Sequence, residues 1–353
     1  MRKFILTLIV ASMALPVWAQ APLPPVPAPQ DVPKPGPVTK APYQPQAILP
    51  GGIVMPLYPA NSPFLNAKRV QEAEKYTMDP VVPGRVQRIV NIHNPSIEVH
   101  LAGGNNNTGT AIILAPGGGH TTLVIGLEGA DPVPFFFQYG INTIILRNRL
   151  RSDGYEPKTD GVYDIQQAIR LVRAHAAEWH IDPHKIGVMG FSAGAELTMA
   201  SAIQYPEFNA KNNGANDPLA GFSARPDFVG SIYPGPSLFT AAWTTKNGVP
   251  PIPKDAPPSF IAGAGWQDKV HAVWASEYFS AMLNAGIPNV EMHIYARGTH
   301  GNGLAYRDFT AEGTWQDRFV HWLRDLGFFE KPGVETLAAK DVAAFVAQPV
   351  ATP

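Results

Sequence analysis

Residues 186–189 form an apolar run without interruption, which breaks at Gly190-Phe191-Ser192-Ala193-Gly194 and passes into a helix-prone stretch reaching Gln204. A run with no polar alternation is expected in a strand buried on both faces of a sheet. Residues 111–114 repeat the pattern and end in Pro116-Gly117-Gly118-Gly119. Further strands are predicted at 86–90, 96–101, 141–146, 228–233, 259–263 and 290–296, the first two as an antiparallel pair. Helices are predicted at 132–140, 161–177, 272–285 and 314–326. In the second of these Val162, Ile165, Ile169, Val172 and Ala176 share a face, with Asp160 as candidate cap. Strands alternating with helices imply βαβ units with right-handed crossovers, hence an α/β fold with a mostly parallel central sheet and helices on both faces. Such sheets gather functional groups at the carboxyl ends of their strands.

Before this body lie two segments of different character. Arg2 and Lys3 precede a mostly apolar stretch to Leu15, and Val17-Trp18-Ala19 ends it, the pattern of a cleaved signal peptide over residues 1–19. About a dozen apolar residues fall short of the roughly 20 needed to span a bilayer. The expected location is therefore secreted or periplasmic, with no membrane span after cleavage. Residues 20–50 carry 11 of the 37 prolines of the 353-residue chain, in runs such as Pro33-Lys34-Pro35-Gly36-Pro37. Fixed φ and missing donors predict an extended, solvated linker there. The catalytic domain is expected at 51–330 and a C-terminal tail at 331–353. Five more prolines within 250–258 predict a stiff loop rather than a mobile lid, leaving an open site.

Cysteine is absent, which removes disulfides, thiolate metal sites and a cysteine nucleophile. A formal net charge of -1 gives no field that favours nucleic acid, and none is expected as a partner. No His-Glu-x-x-His spacing occurs, and neither a metal nor a cofactor is implied.

Gly-x-Ser-x-Gly between a strand and a helix makes a tight elbow that projects Ser192, with both glycines required because a side chain at either would collide with the neighbouring strand and helix. A serine needs a base to take its proton and a third group to orient that base. Both should follow in the order acid then histidine, each just after a strand. Asp268, in Gly265-Trp266-Gln267-Asp268, and His300, in Gly298-Thr299-His300-Gly301, meet that requirement. His271 stands close to Asp268 and is the rival base; His175, His180 and His293 fall in or at the ends of regular elements and read as packing or surface residues. One amide of Gly118 or Gly119 together with that of Ala193 would form an oxyanion hole.

Pro116-Gly117-Gly118-Gly119-His120, residues 164–173 and 182–194, and the Asp268 and His300 loops together resemble the α/β-hydrolase superfamily. The resemblance is greatest to secreted bacterial esterases of the acetyl xylan esterase type, some labelled endo-xylanases, and covers about 86–328. It implies the α/β-hydrolase fold, with Ser192 as nucleophile, His300 as base and acid, Asp268 as orienting carboxylate and Gly118 or Gly119 with Ala193 as oxyanion donors. His120 stands where these relatives usually have an aromatic such as tyrosine, which bears on the acyl pocket. The implied activity is removal of acetyl, or feruloyl, groups from an esterified polysaccharide or oligosaccharide such as xylan. His120, Tyr233, Trp243 and Trp266 are the candidate substrate contacts, the aromatics (with Trp274) as a sugar-stacking rim. A general short-chain carboxylesterase and a prolyl-type serine peptidase share the triad. A glycoside hydrolase would need a carboxylate pair that is not evident, and a non-catalytic carbohydrate-binding protein would leave the triad unexplained.

Overall fold

The computed structural model describes residues 22–31, 40–211, 217–243, 249–304 and 311–349; the expected signal peptide lies outside the described residues. Eight strands form one sheet: β1 (Ile53–Pro56), β4 (Ser96–His100), β5 (Ala111–Ala115), β6 (Asn142–Arg147), β7 (Ile186–Phe191), β8 (Val229–Ile232), β9 (Ser259–Ala264) and β10 (Glu291–Tyr295). Their spatial order is β1-β4-β6-β5-β7-β8-β9-β10. From β6 to β10 every pair is parallel, while β4 runs antiparallel to both β1 and β6. Along β5, Ile113 enters one core and Ile112 and Leu114 the other, the period-two alternation of a strand covered on both faces. Helices α2 (Val162–Ala174), α3 (Ala193–Lys211) and α4 (Lys269–Asn284) pack on the first face; α1 (Pro132–Phe137), α5 (Trp315–Asp325) and α6 (Leu337–Val346) pack on the second.

Several expectations are corrected. The strand at 86–90, β3, pairs with β2 (Lys75–Met78) in a separate antiparallel ribbon rather than with β4. Both oxygens of Asp160 serve other groups, one accepting from the Arg149 guanidinium at 3.2 Å and one from the Glu156 amide at 2.8 Å. The cap before α2 is instead Glu156, which accepts the Lys158 N–H into a π-helical turn at Pro157–Gly161. The proline-rich segment is not solvated to its end. Ala47 and Ile48 are buried, and both oxygens of Glu98 accept the amides of Ile48 and Leu49. A carboxylate buried in β4 needs such donors, and a segment that alternates proline with other residues retains enough amides to supply them. Nor do residues beyond 330 hang free: α6 is capped by Thr336, whose side chain accepts the Ala339 N–H, and buries Ala338 and Val342. The five prolines of 250–258 lie at the amino end of β9, away from the carboxyl ends of the strands, so they do not shape the mouth of the site.

Candidate active site

At the carboxyl end of β7 the chain turns directly into α3 through Ser192, whose φ of 51° lies in the left-handed region that non-glycine residues avoid. The turn is held by the Ser192 N–H, which donates to Ile232 O at 3.0 Å, and by the Ser192 carbonyl, which accepts from Ala195, Glu196 and Gly235. A Cβ at Gly194 would collide with the backbone oxygens of Ala115 and Pro116 at the end of β5, and one at Gly190 would strike Thr198 and the backbone of Gly194 and Ala195. Only glycine lets strand and helix approach this closely.

Ser192 Oγ lies 2.8 Å from His300 Nε2, and His300 Nδ1 lies 2.9 Å from Asp268 Oδ2. A carboxylate only accepts, so the ring carries its proton on Nδ1 and presents a bare Nε2 to the hydroxyl. Asp268 is buried, whereas His300 is exposed toward solvent. Asp268 occupies the N-cap position of α4 yet its side chain caps none of that helix's backbone amides; its other oxygen accepts from His271 Nδ1, the histidine one turn along. The two imidazoles stack with centroids 3.8 Å apart and planes 22° from parallel. The metal-ligand atoms of Asp268, His271 and His300 lie within 4.8 Å of one another, and the Nδ1 atoms of both histidines are bonded to the two oxygens of Asp268.

The amides of Gly118, Gly119 and Ala193 donate to no other group among the described residues, while Gly117 N–H is taken by Glu128 Oε2 at 2.6 Å. Gly118 has φ 127°, and a Cβ there would run into the Thr122 carbonyl. The loop can therefore offer its amides toward Ser192 only without side chains.

The elbow, this loop and the two histidines line a cleft of about 920 Å³, roofed by Asp79–Val82 at the turn of the β2–β3 ribbon and by Arg85, Gln87 and Arg88, with Val124, Leu127, Pro236 and Trp274 on its walls. Glu128 and Glu196 line it as well. Sequence reasoning missed Glu128, Glu196 and Glu312. Glu128 is buried, and burial pushes its carboxyl up to about 7 against the lowering bonds from Gly117 and Tyr233. Glu196, four residues after Ser192, accepts from His120 Nε2 at 3.1 Å, and Glu312 accepts the Thr299 N–H beside His300 at 3.0 Å.

The expected substrate contacts divide. Tyr233 is buried behind the site: its ring meets His300 edge-on at 5.1 Å, and its hydroxyl donates to Glu128 at 2.9 Å and accepts Gly303 N–H at 2.9 Å. Trp243 is also buried, under the Lys158 ammonium at 4.8 Å. Neither offers a face to a sugar. The His120 ring is buried too, and its carbonyl accepts Arg151 N–H at 2.8 Å, so it braces the glycine loop from behind. Trp266, 81% exposed, lies in the Asp268 loop itself but does not line the cleft, and Trp274 is on the cleft wall.

Residues 105–224 match the BD-FAE family. The chain is 30% identical over 270 residues to the acetylxylan esterase of Xylanibacter ruminicola, covering 73% of this chain and 51% of that protein. It is 27% identical over 222 residues to endo-1,4-beta-xylanase B of Butyrivibrio fibrisolvens, covering 56% of this chain and 33% of that one. The chain thus spans about half the length of the first of these relatives and a third of the second. Among solved structures it resembles the acetyl ester-xyloside bifunctional hydrolase of Caldicellulosiruptor lactoaceticus, with a TM-score of 0.61, 25% identity and coverage of 78% of this chain and 96% of that one.

Proposed function

The chain belongs to the α/β-hydrolase superfamily, and we propose that within it the protein is a serine carboxylesterase removing acetyl groups from a plant cell-wall polysaccharide such as xylan. The observation that carries this reading is the continuous hydrogen-bonded chain from Asp268 through His300 to Ser192, set against three glycine-loop and helix-end amides that bond nothing else among the described residues.

In the reaction His300 Nε2 takes the Ser192 proton as Oγ attacks the ester carbonyl. Asp268 stabilises the imidazolium. The oxyanion forms against Ala193 N–H and that of Gly118 or Gly119, where one donor is typically worth about 10² to 10³ in rate. The sugar hydroxyl leaves with the proton from His300, and water activated by the same nitrogen then frees the acid. The helix beginning at Ala193 adds the partial positive charge of its N-terminus to the same point.

Xylan as the carrier rests on the two relatives named for xylan chemistry and on the bifunctional hydrolase, together with a cleft large enough for sugar residues beside the ester. Trp266, with its exposed face, is the sugar contact in this reading, and the ribbon roof bounds the leaving-group side. Export by residues 1–19 would bring the enzyme to a polymer too large to enter a cell. No described helix is long and apolar enough to cross a membrane.

Mass spectrometry of products from acetylated and feruloylated xylo-oligosaccharides, with Ser192→Ala as control, tests the assignment. Acetate release with an intact sugar chain supports it. Ferulate as the sole acid would move the acyl preference, and shortened sugars with no acid would replace the reading with glycoside hydrolysis.

A further inference from the structure

Asp268 sits where an N-cap residue normally accepts the amides of the first helical turn, yet its side chain bonds none of them. Its two oxygens are shared between two imidazoles instead: Oδ2 with His300 Nδ1 at 2.9 Å and Oδ1 with His271 Nδ1. His271 lies one turn along α4, half-buried, its ring stacked on that of His300 at 3.8 Å and edge-on to Trp274 at 5.1 Å. We propose that His271 is a positioning residue of the relay: its Nδ1–H holds the Asp268 carboxylate turned away from the helix end and toward His300, and by sharing the negative charge it tempers the basicity of His300.

Three features support this role over simple packing. A carboxylate accepting two strong donors is fixed in rotation, whereas one accepting a single donor at the start of a helix has competing N–H partners two and three residues on. Burial and the nearby His300 hold the His271 pKa below the usual histidine value, against the raising effects of Asp268 and Glu196, which favours the uncharged ring as donor. The stack also places any charge on His271 directly against the ring that must become an imidazolium in turnover. The titratable groups that face His271 are Asp268 from its own loop, His300 from the loop after β10 and Glu196 from α3. No bond is made or broken at His271; it acts through Asp268.

The expected behaviour separates the hydrogen bond from the ring. His271→Phe keeps a stacked ring and removes the donor. Asp268 then becomes the stronger acceptor for His300, whose pKa rises, so the acid limb of kcat/KM moves to higher pH while kcat falls on the order of tenfold with little change in KM. His271→Asn places an amide N–H where Nδ1–H stood and should restore both the limb and most of kcat. This inference rests on the serine-esterase reading, and its test carries a readout independent of any substrate.

The experiment is a ¹⁵N NMR titration of His300 and His271 in the wild-type protein and in both variants, with p-nitrophenyl acetate kinetics across the same pH range. The expected result is His271 as the neutral Nδ1–H tautomer in the wild type, His300 titrating higher in His271→Phe and close to wild type in His271→Asn. An Nε2–H tautomer at His271 in the wild type would overturn the proposal even if the phenylalanine variant failed to fold. So would a His271→Phe enzyme with an unmoved His300, or a His271→Asn enzyme as impaired as His271→Phe. Loss of the esterase reading would show separately, as ester turnover that Ser192→Ala leaves unchanged.

Discussion

The Tyr233 hydroxyl donates to Glu128 Oε1 over 2.9 Å, and through this bond one buried phenol joins the two loops that the chemistry must hold together. On one side Glu128 Oε2 accepts Gly117 N–H in the glycine loop; on the other the Tyr233 oxygen accepts Gly303 N–H beyond His300. Tyr233 is itself at φ 36°, a strained position tolerated because the surrounding structure fixes it. Tyr233→Phe should leave a buried carboxylate oxygen and a buried amide without partners, costing about 1 to 3 kcal/mol in unfolding free energy. Urea denaturation measures this, and the same variant should lose kcat more than it gains KM. A neutral outcome in both would remove the linkage.

Glu128 also sets a pH dependence. Its carboxyl is pushed from 4.5 up to about 7 by burial, so between those values the folded protein keeps a proton that the unfolded chain has released. Its contribution to stability is fully present below about pH 4.5 and is lost as pH rises through 7, by up to about 3 kcal/mol. Glu128→Gln should flatten that part of the stability profile. Equal slopes in wild type and variant, from denaturation at pH 5 and pH 8, would contradict the assignment.

Gly194→Ala adds one methyl group where the Ala115 and Pro116 carbonyls already stand. Backbone cannot move aside as a side chain can, and the expected loss is about 3 kcal/mol or more. The variant should melt well below wild type by circular dichroism, and a wild-type melting curve would refute the close approach of α3 to the end of β5.

Trp266 presents the opposite case. With 81% of its surface exposed, Trp266→Ala should change stability by no more than about 0.5 kcal/mol. Loss of a stacking face should raise KM for acetylated xylo-oligosaccharides severalfold and leave p-nitrophenyl acetate unaffected. Equal effects on both substrates would mean that Trp266 acts on the site rather than on the sugar.

These residues also mark how far the fold and site were legible in the sequence. Strands β5 and β7 announce themselves because burial on both faces demands an unbroken apolar run, and the three loops of the relay each combine a reactive residue with the glycines its backbone needs. β1 contains a proline and β2 is polar and largely exposed, so neither carries a strand pattern. The pairing of β3 with β2 instead of β4 depends on contacts remote in sequence. A lone glutamate has no local signature, which hid Glu128, Glu196 and Glu312 until the fold brought them to the site. Tyr233 and Trp243 misled for a related reason: an aromatic side chain stacks on a sugar or fills a core with the same composition, and only burial tells the two apart.

Ser192 as the nucleophile of an ester hydrolase is tested most directly by kcat for p-nitrophenyl acetate in wild type and Ser192→Ala, with circular dichroism to show that both are folded. The predicted result is a fall on the order of 10⁶. Retention of most of the wild-type rate by the alanine variant would contradict it.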